Sequence, residues 1–255
     1  MAEGENPWTT LANKLLALGY EIAGAAGPEV LRNDDHAGDI RLLAVQLIAR
    51  SLSNMRGALA MAGADLVVEA RVLSRCILEN QFWIAGFANN SAEFRKLMIE
   101  DDLRRRGAKA QTLFKTGELP DSIEGKLREW MRSNKAWQRA KSIAPKQLAQ
   151  DAQIADAYLF YELLSTDAHP TVFALNRYVI SRDGIEIIEI DLDPTPTRAE
   201  LDDTVGLACF GLVNVLVGGC QILRSKAADR ADELAREYLE LMTAKAEPAE
   251  RDFST

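Results

Sequence analysis

The chain has 255 residues, 47% of them hydrophobic and 27% charged, with a formal net charge of −8. That balance supplies a sizeable core and excludes disorder for the bulk of the chain. Cys76, Cys209 and Cys220 lie in apolar helical stretches with no C-x-x-C spacing and no matching histidines, which argues against a zinc site or a disulfide framework and leaves them as small core residues.

The start, MAEGENPW, has neither a basic nor an apolar signal region, so no secretory signal and a reducing, bacterial-type cytoplasm are expected. Residues 8–25 read as a helix that stops at Gly27-Pro28. In residues 38–62, Ile40, Leu43, Ala44, Leu47, Ile48 and Leu52 recur at three- and four-residue steps, a second helix ending near Gly63. A third helix is expected over 65–88, capped by Asp65, and its apolar residues run nearly all round, so it belongs at the centre. Ser91 opens a fourth. Asp121 and Glu124 form a D-x-x-E capping box before KLREWMRSNKAW. Pro145 opens a short segment, and residues 152–165 lead into a corner. Residues 177–190 alternate around Asp183-Gly184, a two-residue hairpin signal. Thr197 and Glu200 form another capping box, opening a helix to about Ser225, and a charged, peripheral helix is expected over 227–245. The expected fold is an all-α, multi-helix bundle with one inserted β-hairpin, a single domain spanning residues 1–255.

Residues 204–223 carry no charge over 20 positions, long enough to cross a bilayer. Asn214, Gln221 and four glycines within them, and the lack of an aromatic belt, point instead to a buried central helix and no membrane partner.

Three constellations bear on chemistry. The first is the corner YELLSTDAHPTVF, residues 161–173. Pro170 disfavours helix at His169 and suits the first position of a new helix, so one helix should end near Ser165 and another begin at Pro170. His169 would then face a positive helix end, where a neutral imidazole fit for general-base work is expected. Tyr161 and Ser165 lie on the face leading to it. The alternative is that Asp167 and His169 merely cap helix ends. The second is a polar stripe on the third helix, Arg71, Arg75 and Glu79, spaced four apart. It reads either as a register-fixing ion pair or as an arginine held for an anion and oriented by Glu79. If the pair is buried, removing Arg75 should cost about 2–4 kcal/mol.

The third constellation is a basic region. Residues 95–146 hold 14 basic against 7 acidic residues, leaving 16 against 31 elsewhere, an asymmetry that hints at an anionic partner. Within it, residues 126–146 interleave Arg132, Lys135 and Arg139 with Trp130 and Trp137, and Arg104, Arg105 and Arg106 lie nearby. Basic residues with aromatics suit single-stranded nucleic acid. The alternative is a solvated helix face with both tryptophans turned inward. No Glu-x-x-His, His-x-x-x-His, Walker loop, G-x-G-x-x-G or G-x-S-x-G occurs, so no metal or other cofactor is expected.

Together, Arg71-x3-Arg75-x3-Glu79 and Tyr161-x3-Ser165-x3-His169 resemble a bacterial all-helical family known only as a domain of unknown function. The likeness spans roughly residues 40–180 and implies a helical fold. The arrangement is more distantly similar to the HEPN superfamily, which includes metal-independent ribonucleases of toxin and phage-defence systems. Their motif is an arginine followed by a histidine after four to six residues. No arginine precedes His169 at that distance, and Arg32 and His36 have only three residues between them, so Arg75 is the candidate for that role. The resemblance implies RNA cleavage with His169, Arg75, Glu79 and Ser165 catalytic. Arg71, Arg104, Arg105, Arg106, Arg132, Lys135, Arg139 and Tyr161 would hold the strand. The alternative function is a non-catalytic regulatory or partner-binding module. A homodimer through apolar faces is expected in either case.

Overall fold

The computed structural model describes residues 6–30, 39–117, 119–182 and 186–246. The regular structure among them is helical apart from one pair of antiparallel strands. Long helices come first: α1 (Pro7–Val30), α2 (Ile40–Ala62), α3 (Val67–Asn89) and α4 (Ser91–Thr116). Short ones follow: α5 (Asp121–Ser133), α6 (Pro145–Asp151), α7 (Ala157–Thr166) and α8 (Val172–Leu175), with a 3-10 turn at Lys135–Gln138. Strands β1 (Val179–Arg182) and β2 (Glu186–Ile190) precede α9 (Arg198–Leu223) and α10 (Ala228–Ala246). The protein is therefore an all-α bundle with one inserted hairpin.

The apolar, nearly all-round surface of α3 places it at the centre, packed on α2 and α9 on one side and on α4, α6 and α7 on the other. One core cluster joins α1, α2, α9 and α10 through residues such as Leu15, Ile48, Leu212 and Tyr238. A second joins α3, α4, α6 and α7 through Leu78, Phe82, Phe94, Leu148 and Leu164. Phe210 of α9 packs against both. Helix α9 is the one described helix long and apolar enough to cross a membrane, and 61% of its most apolar window is buried inside the bundle. The last helix, α10, turns Ala231 and Tyr238 into the core, where the Tyr238 ring lies tilted against Trp8 at 5.7 Å and Phe210 at 5.8 Å.

Helix ends depart from expectation in four places. Helix α1 continues through Pro28 to Val30, whose side chain is buried and holds the last turn down. Asp65 does not cap α3; it sits in a turn at φ +60°, and Leu66 stands at the cap with no side-chain bond. Asp121 is already inside α5, so the D-x-x-E pair forms no box, and Glu124 instead accepts from Arg128 at 2.7 Å. Pro170 does not open α8: the Thr171 hydroxyl accepts from the Ala174 amide at 3.1 Å and is the cap. The Thr197–Glu200 box forms as expected. The hairpin pairs Val179 with Ile190 and Arg182 with Glu186, with an irregularity between Ile180 and Ser181. Its expected turn, Asp183-Gly184, lies outside the described residues, as does His36.

Candidate functional site

Helices α3 and α7 bring two of the three constellations together. The pairing is antiparallel: Arg71 meets Asp167, and Glu79 meets Tyr161. Those two contacts bracket a polar seam on otherwise apolar helices and set Arg75 between them. The Tyr161 hydroxyl donates to Glu79 Oε1 at 3.2 Å. The Arg75 guanidinium lies over the Tyr161 ring, 5.4 Å from its centroid, and its Nε approaches Glu79 at 3.8 Å. That is beyond hydrogen-bond reach, and the buried Nε has no hydrogen-bond partner among the described residues. Burial raises the Tyr161 phenol's pKa, the Glu79 carboxylate raises it further, and Arg75 opposes both. The phenol stays a donor to Glu79.

Ser165, one turn on, donates to the Tyr161 carbonyl at 2.7 Å. His169 lies past the Arg71–Asp167 end of the seam. It is exposed, in an open groove with Ser165, Leu159, Glu162, Leu163 and Thr171. Arg75 does not line that groove. Because α8 has four residues, it contributes little of the dipole expected beside His169.

Arg71 is held by a network that sequence reasoning missed. Its Nε donates to Thr204 Oγ1 at 3.2 Å, one terminal nitrogen meets Asp167, and the other approaches Glu200 at 3.5 Å. Arg177, just before the hairpin, donates to the same Glu200 oxygen at 2.7 Å. Burial pushes the Glu200 pKa up, but the Thr197 amide and Arg177 outweigh it, and the net direction is down. The corner and the start of α9 are thus tied to α3 through Arg71, and Arg177, just before the hairpin, joins them through Glu200. Thr204 and Glu200 carried a signal, since both fall in the first turns of a capped helix. Nothing in the sequence indicated which arginine they would face.

The basic residues lie on α4, α5 and the 3-10 turn. Arg105 donates to Asp101 at 2.6 Å and Arg106 to Asp102 at 2.9 Å, both one turn back on α4. Asp101 is buried and also accepts from the Ile143 amide at 3.1 Å, so Arg105 offsets a buried charge. Arg104 is half-buried, while Arg132, Lys135 and Arg139 are exposed. Helix α5 buries no residue fully. Trp137 is 3% exposed, its indole pressed on Gly107, and Trp130 is half-buried. Trp137 is therefore a fastening of the arm, not a stacking platform. Among the described residues, no group of three or more His, Cys, Asp or Glu is placed to hold a metal ion.

Residues 41–186 match the model of a family of unknown function (DUF5677). The chain belongs to that family. The matched stretch runs from α2 to the start of β2, so it contains the α3–α7 seam and the basic arm and leaves α1, α9 and α10 outside. No curated protein and no solved structure matches the chain.

Proposed function

We propose that the protein binds RNA in the cytoplasm and cleaves it without a metal ion, as HEPN-type ribonucleases of toxin and phage-defence systems do. The observation that supports this best is the seam. Arg75 and Glu79 of α3 meet Tyr161 of α7, more than eighty positions on, with Ser165 one turn further, and His169 lies beyond the Arg71–Asp167 pair that ends the strip. In this reading His169 takes the proton of a ribose 2′-hydroxyl. The 2′-oxygen attacks phosphorus as the P–O5′ bond breaks, the 5′-oxygen takes a proton from water, and the products are a 2′,3′-cyclic phosphate end and a 5′-hydroxyl end. In this reading Arg75, which Glu79 and Tyr161 hold in the seam and which does not line the groove in this structure, turns toward the phosphate charge. Ser165 lies beside the groove to orient the phosphate. Exposed Arg132, Lys135 and Arg139, with Arg104, Arg105 and Arg106, hold the strand by its backbone.

The test is incubation of the purified protein with total RNA, with and without EDTA. Cleavage that persists in EDTA and leaves cyclic phosphate ends is the expected result, and intact RNA under both conditions contradicts it. A second reading, a non-catalytic partner-binding module, is favoured by a different observation. Leu159 and Leu163 stand 62% and 63% exposed beside His169, and Val172 stands 79% exposed on α8. Such a row of apolar side chains suits a protein surface, including a second copy of the chain. In that case the protein binds a partner and leaves RNA intact.

A further inference from the structure

Helices α1, α7, α9 and α10, with Arg71 of α3, line a cleft of about 440 Å³ that shares Leu163 and Thr166 with the His169 groove. That volume falls in the range of small-molecule sites. Its walls are Trp8, Phe160, Leu207, Tyr238 and Met242, and its polar end carries Asp167, Asp202 and Asp203 together with Arg71 and Lys245. None of these apolar walls belongs to the RNA reading, which takes from the lining only Arg71, at the polar end. We propose that this cleft binds a small organic cation, a primary amine with an aromatic or alkyl body.

The polar end decides the sign of the ligand's charge. Arg71 is engaged by Asp167, Thr204 and Glu200. Asp202 accepts from Asn6 at 2.7 Å and pairs with Arg198 at 3.1 Å, and its side chain stays partly open to the cleft. Asp203 has as its partner the ammonium of Lys245, from the last turns of α10. Both of these side chains are exposed, so the contact is easily exchanged. Lys245 is in effect an alkylammonium already seated at the mouth, a tethered sample of the ligand class. A free amine can take its place on Asp203 and gain what the lysine stem cannot: burial of its own body against Trp8, Phe160 and Tyr238. Aromatic faces also favour a cation over a neutral group or an anion. A carboxylate entering the same end would meet Asp202 and Asp203, while the two cations there, Arg71 and Lys245, are already engaged by Asp167 and Asp203.

The experiment is calorimetric titration of the full chain with 2-phenylethylamine, with its uncharged analogue 2-phenylethanol, and with 3-phenylpropionate. Saturable binding of the amine, well above the alcohol, with none of the carboxylate, is the expected result. Lys245→Ala removes the competing ammonium and should tighten the amine by about 2–5-fold, the worth of one exposed ion pair. Asp203→Asn should weaken it. A merely structural Lys245–Asp203 pair would not produce opposite signs in the two variants. Absent amine binding, equal binding of the alcohol, preference for the carboxylate, or weaker binding by Lys245→Ala each overturns the proposal. The RNA assay does not enter, so this site and the RNA reading stand or fall separately.

Discussion

At the scale of single residues, Arg75 shows how partial burial changes the expected energetics. A fully buried Arg75–Glu79 pair would make Arg75→Ala cost about 2–4 kcal/mol. In the structure the side chains are 21% and 33% exposed, and the closest approach is 3.8 Å. The remaining contribution is the contact with the Tyr161 ring plus a loose, partly screened ion pair. Arg75→Ala is therefore expected to cost about 1–2 kcal/mol in a denaturant titration. A loss above that range would mean the pair is tighter than the geometry indicates. Tyr238 gives a pH signature. Burial, with a smaller push from Cys209, raises its phenol from 10.0 to about 12. A raised folded pKa stabilises the fold fully below the unfolded value and loses that contribution as pH rises through the folded one. Stability should thus fall between pH 10 and about 12, and Tyr238→Phe should flatten that limb. The spacing of Arg71, Arg75 and Glu79 made the stripe readable in the sequence. The role of Asp167 was not readable, because its partner is 96 positions away and only the packing of α7 on α3 brings them together.

At the scale of elements, signals that act within one turn read correctly, and those that depend on neighbouring turns did not. Thr197 and Glu200 satisfy each other and the free amides of α9 with no outside help, so the box was legible. Thr197→Ala should cost about 1 kcal/mol, read as a lowered melting temperature. Asp65 and Pro170 carried equally good local signals. The left-handed turn at Asp65 and the Thr171 cap displaced them, because the neighbouring turns set where each helix begins. Close packing between elements was also hidden. A Cβ on Gly107 would lie 2.3 Å from the Trp137 ring, so the indole can fasten the basic arm to α4 only where a side chain is missing. Gly107→Ala should displace that ring, red-shift tryptophan emission and destabilise by about 1–3 kcal/mol. An unchanged emission spectrum would show that the ring shifts without losing its burial.

At the scale of the whole molecule, the all-α class with a late hairpin was legible because long periodic runs and one alternating stretch leave few other folds. The cleft between α1, α7, α9 and α10 was not, since its lining comes from five helices, α3 included, scattered from Trp8 to Lys245. Charge is distributed on the same large scale. An acidic chain carries a basic arm, and RNA bound there should dissociate steeply as salt rises. Reversing Arg104, Arg105 and Arg106 to Glu should weaken RNA binding and flatten its dependence on salt, measured by filter binding across a salt series. Binding indifferent to both would remove RNA as the partner of the arm. The central claim, that the corner at the end of the seam is catalytic, is tested most directly by one comparison. End-labelled RNA is cleaved in EDTA by the wild-type chain and by His169→Ala, with helical content checked by circular dichroism. A general base contributes about 10²–10⁴-fold in rate, whereas an exposed loop side chain contributes little to the fold. The account predicts cleavage by the wild type and a loss of that size in the variant, at unchanged helicity. Cleavage by His169→Ala at the wild-type rate, or none by either protein, would contradict it.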